Sequence, residues 1–364
     1  MIAAAAGFTA AAVAAPSLKD AYRGDFVVGA ALNSAQIADR ARSDAIVKAQ
    51  FNAISPENAL KWENIHPQPD KYDFTTADAY VAFGEKNHMF IVGHCLLWHN
   101  QTPAWVFRDE NGKLLDRERL LARLRDHIRT IVGRYKGRIK AWDVVNEAVG
   151  EDGSMRPSLW YTIIGEDYVA KAFEYAHEAD PDAELNYNDY SLENPPKRAG
   201  AVALIKKLKA AGVPVTTVGL QGHYSLDWPT IPQLDETISA FAALGVKIAI
   251  TELDIDVLPP ATKEETAEVT LNVQSDPALN PYGNGLPDAV QQSLTQRYGE
   301  LFAEFRSRKD VIDRVTLWGV TDYESWRNNW PVAGRTAYPL LFDRACQPKP
   351  AFDAVIAAAQ NPAR

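Results

Sequence analysis

Short runs rich in apolar and β-branched residues recur along the chain, each bounded by turn residues. We predict a strand at each of eight such runs, at residues 26–30, 51–55, 89–93, 141–145, 184–187, 215–220, 246–251 and 314–318. Most of these runs do not alternate apolar with polar positions, which is typical of strands buried on both faces of a parallel sheet. The pattern therefore predicts a sheet that lies inside the protein, covered on both sides.

Between these runs, apolar residues return at helical spacing. This periodicity predicts amphipathic helices at residues 35–49, 117–135 and 289–305, and a last helix that begins at Lys349-Pro350 and ends at Gln360. Strand and helix alternate with no Ser/Gly-rich linker between them, which indicates an α/β fold, a single (β/α)8 TIM barrel with long mouth loops. The longest irregular segment, residues 258–287, follows the seventh strand and is predicted to be a large loop at the mouth.

The beginning of the chain differs from the rest, because residues 1–16 carry no charged side chain and are mostly alanine. This segment resembles the apolar part of an export signal with a small-residue site near Ala12 and Ala14, although the basic start is missing. We predict that residues 1–16 are the remnant of such a signal or are disordered, and that residues 17–364 form one domain. A frayed apolar helix is the alternative. The protein is then expected to be secreted or periplasmic.

Composition excludes several classes of protein. Asp and Glu outnumber Lys and Arg by 47 to 38, giving a net charge of -9, and no basic run could neutralise a phosphate backbone. We therefore expect no nucleic-acid partner. No apolar stretch of about 18 residues follows the N-terminal segment, so no membrane span is expected. Two cysteines, Cys95 and Cys346, cannot form a disulfide framework and are expected to be free thiols. We expect a monomer.

Polar and aromatic residues follow almost every predicted strand. In a TIM barrel the chemistry lies at the C-terminal ends of the strands, so these residues are expected to converge at the mouth. A single polar residue at a strand end is ordinarily a cap or a solvated side chain, but convergence of seven or eight such ends indicates a site. In chain order they are Asn33, Glu57, Asn58, Lys61, His94, Trp98, Asn146, Glu147, Asn188, Asp189, Tyr190, Gln221, His223, Glu252, Asp254 and Trp318.

Two carboxylates, Glu147 and Glu252, end apolar strands that are expected to lie across the barrel from each other. Cleavage of a glycosidic bond needs one carboxyl group to protonate the leaving oxygen and another to act as nucleophile or base, and these two fit that need. Side chains alternate along a strand, so His223 is expected to bond to Glu252 while Asp254 orients the imidazole. A salt bridge to a neighbouring loop is the alternative for either glutamate alone.

Tryptophan supplies a second signal, since five of the nine fall in two predicted mouth segments: Trp98, Trp105, Trp318, Trp326 and Trp330. Flat indole rings with a polar N–H suit the apolar C–H face of a sugar ring. We assign Trp142, Trp160 and Trp228 to the core instead. The aromatic residues therefore indicate that the mouth binds carbohydrate.

Four segments resemble the motifs of glycoside hydrolase family 10, the endo-β-1,4-xylanases, and the resemblance runs from about Phe26 to Phe352. They are FNAISPENALKW at 51–62, GHCLLWHNQ at 93–101, WDVVNE at 142–147 and ITELD at 250–254. The resemblance implies a catalytic (β/α)8 domain that hydrolyses bonds inside xylan and xylo-oligosaccharides by a retaining double displacement. We expect neither a cofactor nor a catalytic metal ion.

The same resemblance implies roles for individual residues. Glu147 would be the acid/base, Glu252 the nucleophile, and Asn146 the partner of the reacting sugar's 2-hydroxyl. Tyr190 would lie on the aglycone side, where the leaving part of the substrate binds. The glycone side, where the other sugars bind, would contain most of the remaining substrate-binding residues, which are Glu57, Asn58, Lys61, His94, Trp98, Gln101, Gln221, Trp318 and Trp326.

Three other functions are weighed against this one. A metal-dependent barrel enzyme would gather carboxylates and histidines at the mouth, but the first strand carries no HxH motif and successive strands carry no carboxylate set. A catalytically inactive glycan-binding barrel would be expected to lack Glu147 or Glu252, and both are present. A cellulase or mannanase on the same barrel remains open, because the substrate-binding geometry decides between them.

Overall fold

All nine strands in the described part of the chain belong to one sheet. The computed structural model describes residues 16–262, 266 and 268–360. The strands are β1 (Val27–Leu32), β2 (Ala53–Pro56), β3 (Phe90–Leu97), β4 (Ala141–Asn146), β5 (Glu184–Asp189), β6 (Thr217–Leu220), β7 (His223–Ser225), β8 (Lys247–Asp256) and β9 (Ile312–Leu317). Neighbouring strands are parallel, and the pairing of β6 with β8 closes eight of them into a barrel. The predicted TIM barrel is confirmed, and each predicted run overlaps an observed strand.

The short strand β7 was not predicted. Sequence reasoning ends the sixth strand at Leu220 and takes Gln221 and His223 to share one face just beyond it, whereas the structure breaks the chain direction between these two residues and begins a separate strand at His223. Gly222 has a φ of 82°, in the left-handed region that glycine enters without a Cβ penalty. After this break β7 pairs with β8, and His223 lies opposite Asp254.

Twelve α-helices surround the barrel in the described ranges. They are α1 (Leu18–Ala21), α2 (Ser34–Ile37), α3 (Asp44–Gln50), α4 (Trp62–Ile65), α5 (Thr75–Lys86), α6 (Arg117–Arg134), α7 (Leu159–Ile164), α8 (Tyr168–Ala179), α9 (Pro195–Ala210), α10 (Ile231–Ala242), α11 (Asp288–Ser307) and α12 (Pro350–Gln360). Helix α6 shows why they form, because Asp116 caps its first turn and Leu120, Leu124 and Ile128 bury one face. The predicted helices 117–135, 289–305 and 350–360 match α6, α11 and α12 closely.

The predicted helix 35–49 is wrong as a single element. It is divided into α2 and α3, and Asp39 between them has a φ of 54°, which interrupts helical geometry. Tertiary contacts hold the break, since Gln36 Nε2 and Ser43 Oγ both donate to the carboxylate of Glu324. The hydrogen bonds that these two buried side chains make with a residue from a distant part of the chain therefore outweigh the helical periodicity of the sequence.

The hydrophobic core contains large side chains that require small neighbours. Trp142 and Trp160 are fully buried, as predicted. A Cβ atom at Gly93 would lie 2.1 Å from Cε3 of Trp142, so β3 can pass this indole only with glycine at that position. Close packing of this kind holds β3 and β4, which both end at the mouth, in a fixed relative position.

The long segment after β8 is pinned to the segment after β9. Val273 N donates to the carbonyl of Pro331, Thr336 N donates to Asn280 Oδ1, and the Tyr338 hydroxyl donates to the carbonyl of Tyr282. The predicted export segment, apart from Pro16, lies outside the described residues. Among the residues described, no helix is long and apolar enough to cross a membrane. Cys95 and Cys346 are free thiols, as predicted.

Candidate active site

A cavity of about 680 Å³ opens at the C-terminal ends of the strands. Both candidate catalytic glutamates line this cavity. Glu147 directly follows β4, and Glu252 lies on β8, which is three strands away from β4 around the barrel. The strand ends therefore converge as the sequence predicted. The other predicted site residues on its wall are Lys61, His94, Trp98, Asn146, Tyr190, Gln221, His223, Trp318 and Trp326.

Glu147 is buried, with 6% of its surface exposed, and its carboxyl group receives three hydrogen bonds. The indole of Trp98 donates to Oε2 at 2.7 Å, and the amides of Gln221 and Asn146 donate to Oε1 at 2.9 and 3.1 Å. Burial raises the pKa of Glu147 above its ordinary value, although the bonds from Gln221 and Trp98 oppose the rise. The group is thus suited to hold a proton. Its φ of 60° places its backbone in the left-handed region.

Glu252 is equally buried but has different electrostatic surroundings. Asn188 Nδ2 donates to Oε1 at 2.8 Å, and His223 Nε2 lies 3.3 Å from Oε2. Burial by itself raises the pKa of Glu252, but the hydrogen bond with His223 and the nearby ring of His94 outweigh it. The net pKa of Glu252 lies below its ordinary value, so this carboxyl group is ionised at neutral pH.

Two side-chain amides connect the surroundings of the two glutamates. Asn188 Nδ2 donates both to Glu252 and to Asn146 Oδ1, the latter at 2.8 Å. Gln221 Nε2 donates both to Glu147 and to Asn146 Oδ1, the latter at 3.3 Å. Asn146 therefore sits between the two carboxyl groups with its orientation fixed from both sides, which pre-organises the site.

Asp254 and His223 form the support for Glu252. His223 Nδ1 lies 2.9 Å from Asp254 Oδ1, while Arg327 donates to the same oxygen and Trp326 Nε1 donates to Oδ2 at 2.7 Å. Burial opposes the charge of Asp254, but Arg327 and His223 keep its pKa well below the usual range. Burial lowers the pKa of His223, but Asp254 and the bond to Glu252 outweigh it and raise that pKa to about 9.

The glycone wall, defined as Glu57, Asn58, Lys61 and Gln101, lies beside the cavity. Only Lys61 lines the cavity itself, and its ammonium group donates to Asn58 Oδ1 at 3.1 Å and to Gln101 Oε1 at 2.8 Å. The same ammonium group lies 4.9 Å from the ring centre of Trp98. Burial raises the pKa of Glu57, which Lys61 partly opposes. These contacts place the four residues in one polar group at the edge of the cleft.

His94 and Tyr190, which both line the cavity, are held in place by charged neighbours. His94 Nδ1 lies 2.9 Å from Asp143 Oδ2, which fixes the ring that faces Glu252. Tyr190 is 5% exposed and its hydroxyl donates to Glu151, while Lys197 Nζ lies 3.2 Å from its ring centre. Both rings therefore have one preferred orientation before any substrate binds.

Four of the five predicted mouth tryptophans line the cavity, and the fifth does not. Trp105 packs against Trp62 and His66 on the outside of the barrel, and its indole donates to the carbonyl of Pro67. Conversely, Trp228, which sequence reasoning assigns to the core, is only half-buried and lines the cavity. Burial of an individual indole depends on neighbours distant in sequence, which spacing along the chain does not reveal.

Sequence reasoning listed Asn188 among the converging strand ends without giving it a specific role, and it missed Arg327 altogether. Asn188 bonds to Glu252 and Asn146, and its position at the end of β5 was the available signal. Arg327 neutralises Asp254 and also donates to Asp256 Oδ2 at 3.1 Å. No spacing in the sequence indicated it. Groups of three or more His, Cys, Asp or Glu side chains placed to hold a metal ion are absent from the described ranges.

A parallel barrel whose mouth holds two buried carboxyl groups with opposite pKa shifts, lined by indoles, has the arrangement of a barrel glycoside hydrolase. The family model of glycosyl hydrolase family 10 matches residues 17–358. The chain belongs to glycosyl hydrolase family 10.

Similar proteins agree with this membership. The chain is 46% identical over 344 residues to endo-1,4-beta-xylanase A of Xylanibacter ruminicola, covering 94% of this chain and 93% of that protein. It is 43% identical over 339 residues to a beta-1,4-xylanase of Dictyoglomus thermophilum, covering 93% and 89%. A solved GH10 endoxylanase from a sugarcane soil metagenome superimposes with a TM-score of 0.91 at 48% identity, covering 94% of this chain and 99% of that one.

Proposed function

We propose that the protein hydrolyses internal β-1,4-xylosidic bonds of xylan and xylo-oligosaccharides with retention of anomeric configuration. The observation that carries this proposal is the pair of buried glutamates in one cleft, one with a raised and one with a lowered pKa. A retaining glycosidase needs a protonated donor and an ionised nucleophile at the same pH. The names of the two relatives given above, both xylanases, support the choice of xylan.

In the first step Glu252 attacks the anomeric carbon of the bound sugar while Glu147 gives its proton to the glycosidic oxygen. The C–O bond to the leaving sugar breaks, and an ester between Glu252 and the glycone forms. His223 and Asn188 hold one oxygen each of Glu252, which leaves the carboxylate fixed in orientation. Trp98 and Gln221 hold Glu147 in the same manner.

In the second step Glu147, now ionised, removes a proton from water, which attacks the anomeric carbon. The ester bond breaks, Glu252 leaves as a carboxylate, and Glu147 is protonated again. Once Glu252 is esterified it carries no negative charge, so its repulsion no longer raises the pKa of Glu147. Asn146, fixed between the two glutamates, is positioned to bond to the 2-hydroxyl of the reacting sugar.

Preference for xylose over glucose rests on the indoles beside the glycone wall. Trp318 and Trp326 line the cavity, and Trp330 stacks on Trp326 with ring centres 5.0 Å apart. Xylose lacks the hydroxymethyl group of glucose, so a glucosyl unit would have to displace an indole. Exclusion of one such group is worth about 1–3 kcal/mol, or roughly 10- to 200-fold in kcat/KM.

The mechanism is tested by comparing Glu252→Ala with Glu147→Ala. Loss of the nucleophile should abolish turnover of every substrate. Loss of the proton donor should cripple xylan hydrolysis but still allow a glycosyl-enzyme to form from an aryl xylobioside with an activated leaving group, and azide should restore turnover. Equal losses by both variants on both substrates would contradict this division of roles. Proton NMR should show the β-anomer first, and early α-xylobiose would exclude retention.

Two measurements separate the alternatives. The wild type should prefer aryl xylobioside over aryl cellobioside in kcat/KM, and the reverse preference would favour a cellulase while leaving both catalytic glutamates in place. Activity should survive chelation, and its loss would favour a metal-dependent enzyme. Export, a monomeric state and a domain that begins at residue 17 stay predictions. The mass of the secreted chain and its sedimentation test them.

A further inference from the structure

Tyr323 exposes 59% of its surface, more than any other large hydrophobic side chain in the described part of the chain. Exposed aromatic rings are common in isolation and carry no meaning by themselves. Here the ring is not isolated, because the guanidinium carbon of Arg42 lies 5.6 Å from its centre. The guanidinium therefore lies beside the phenol, and more than half of the side chain stays open to solvent.

The segment that carries Tyr323 continues the wall of the cleft. Tyr323 lies between Trp318 and Trp326, both of which line the cavity, in the segment that follows β9. The next residue, Glu324, is anchored to Gln36 and Ser43 in the segment after β1. Burial raises the pKa of Glu57 and the charge of Glu324 adds to the rise, so this segment is close to the glycone wall.

Arg42 has free hydrogen-bonding capacity. It makes no ion pair and no side-chain hydrogen bond with any of the residues described, whereas both oxygens of Glu324 are occupied by Ser43, Gln36 and Thr321. Both carboxylates next to Tyr323 in sequence are thus directed inward, since Asp322 pairs with Lys349, and the guanidinium stays available. An unpaired arginine beside an open aromatic face matches a sugar that carries a carboxylate.

We propose that Tyr323 and Arg42 form a distal glycone subsite for a xylosyl unit that carries a uronate side group. The open face of the phenol stacks on the sugar ring, and the guanidinium pairs with the uronate carboxylate. The occupant follows from position, because residues on both sides of this segment line the cavity and Glu324 lies close to Glu57 of the glycone wall, and from the complementary charge. This proposal rests on the proposed xylanase function and assigns the substrate decoration that the cleft favours.

The test uses Tyr323→Ala, Tyr323→Phe and Arg42→Gln in the full chain. The substrates are linear xylopentaose, the same oligosaccharide with a glucuronosyl group near its non-reducing end, and an aryl xylobioside too short to reach Tyr323. Arg40→Gln is the matched control, because it removes the same charge from the same connection between α2 and α3 without touching the ring. Thermal unfolding of each variant checks that the fold is intact.

Arg42→Gln should lower kcat/KM for the decorated substrate by about 2- to 5-fold, as expected for an exposed ion pair, and leave the linear one unchanged. Tyr323→Ala should lower kcat/KM on both long substrates by about 5- to 10-fold through lost apolar contact, while Tyr323→Phe should retain wild-type values. None of the variants should affect the aryl xylobioside. Added salt should reduce the preference for the decorated substrate in the wild type and not in Arg42→Gln.

Equal losses of kcat/KM on the decorated substrate in Arg40→Gln and Arg42→Gln would overturn the proposal. The effect would then come from the overall electrostatic potential of this surface and not from a specific contact with Arg42. Unchanged kinetics of Tyr323→Ala on the long substrates would overturn it as well. Failure of the proposed function looks different, since a wild type that cleaves neither aryl xylobioside nor xylopentaose contradicts the xylanase activity itself. A wild type that cleaves both but ignores these substitutions contradicts only the distal subsite.

Discussion

Trp98→Phe isolates one hydrogen bond to the proton donor. The indole N–H of Trp98 donates to Glu147 Oε2 at 2.7 Å, and phenylalanine keeps an aromatic ring there without the donor. A donor of this kind stabilises the carboxylate form and therefore lowers the pKa of Glu147. Its removal leaves Gln221 and Asn146, which both bond to Oε1, and leaves Oε2 without that bond. The pKa of Glu147 should rise.

The size of the rise follows from the strength of a hydrogen bond to a charged group. Such a bond contributes about 1.5–3 kcal/mol, and one pKa unit corresponds to about 1.4 kcal/mol. We therefore expect the pKa of Glu147 in the free enzyme to increase by about 1 to 2 units. Catalysis needs this group protonated, so activity is lost as pH rises through its pKa, and a higher pKa moves that loss to higher pH.

The assay is the pH profile of kcat/KM on an aryl xylobioside with a poor leaving group. The basic limb of Trp98→Phe should move to higher pH by about 1 to 2 units, while the acidic limb, which reflects ionisation of Glu252, stays in place. A basic limb that stays fixed or moves to lower pH would refute the reasoning. His223 titrates near pH 9 and offers another source for that limb. In Glu147→Ala, assayed on an activated substrate, the basic limb of the pH profile reports only the contribution of His223.

Three further changes have definite expected outcomes. Trp326→Ala should narrow the preference of kcat/KM for aryl xylobioside over aryl cellobioside by about 10-fold or more, because it opens space beside the glycone sugars; an unchanged ratio would place the selectivity elsewhere. Lys349→Met should cost about 3–5 kcal/mol in chemical denaturation, since it leaves the buried carboxylate of Asp322 without its partner at 2.9 Å. Gly93→Ala should lower the melting temperature, because its Cβ would overlap Trp142, and an unchanged value would show that the indole can move.

The sequence alone determined the barrel and the position of its chemistry. Each strand is a run of apolar residues, and in a closed parallel barrel both faces of a strand are buried, so local composition is enough to locate it. The C-terminal ends of the strands then have to converge, which brings Glu147 and Glu252 into one cavity without any further information. Family motifs at these ends sharpened that expectation because they are contiguous along the chain.

Tertiary structure decided everything that depends on contacts between distant segments. The helix predicted at 35–49 is broken because Gln36 and Ser43 bond to Glu324, almost the length of the chain away. Trp105 lies away from the cavity although sequence spacing placed it at the mouth, and Trp228 lines the cavity although it was assigned to the core. The opposite pKa shifts of the two glutamates arise from partners on several strands, and burial and hydrogen bonding of that kind exist only once the barrel has closed.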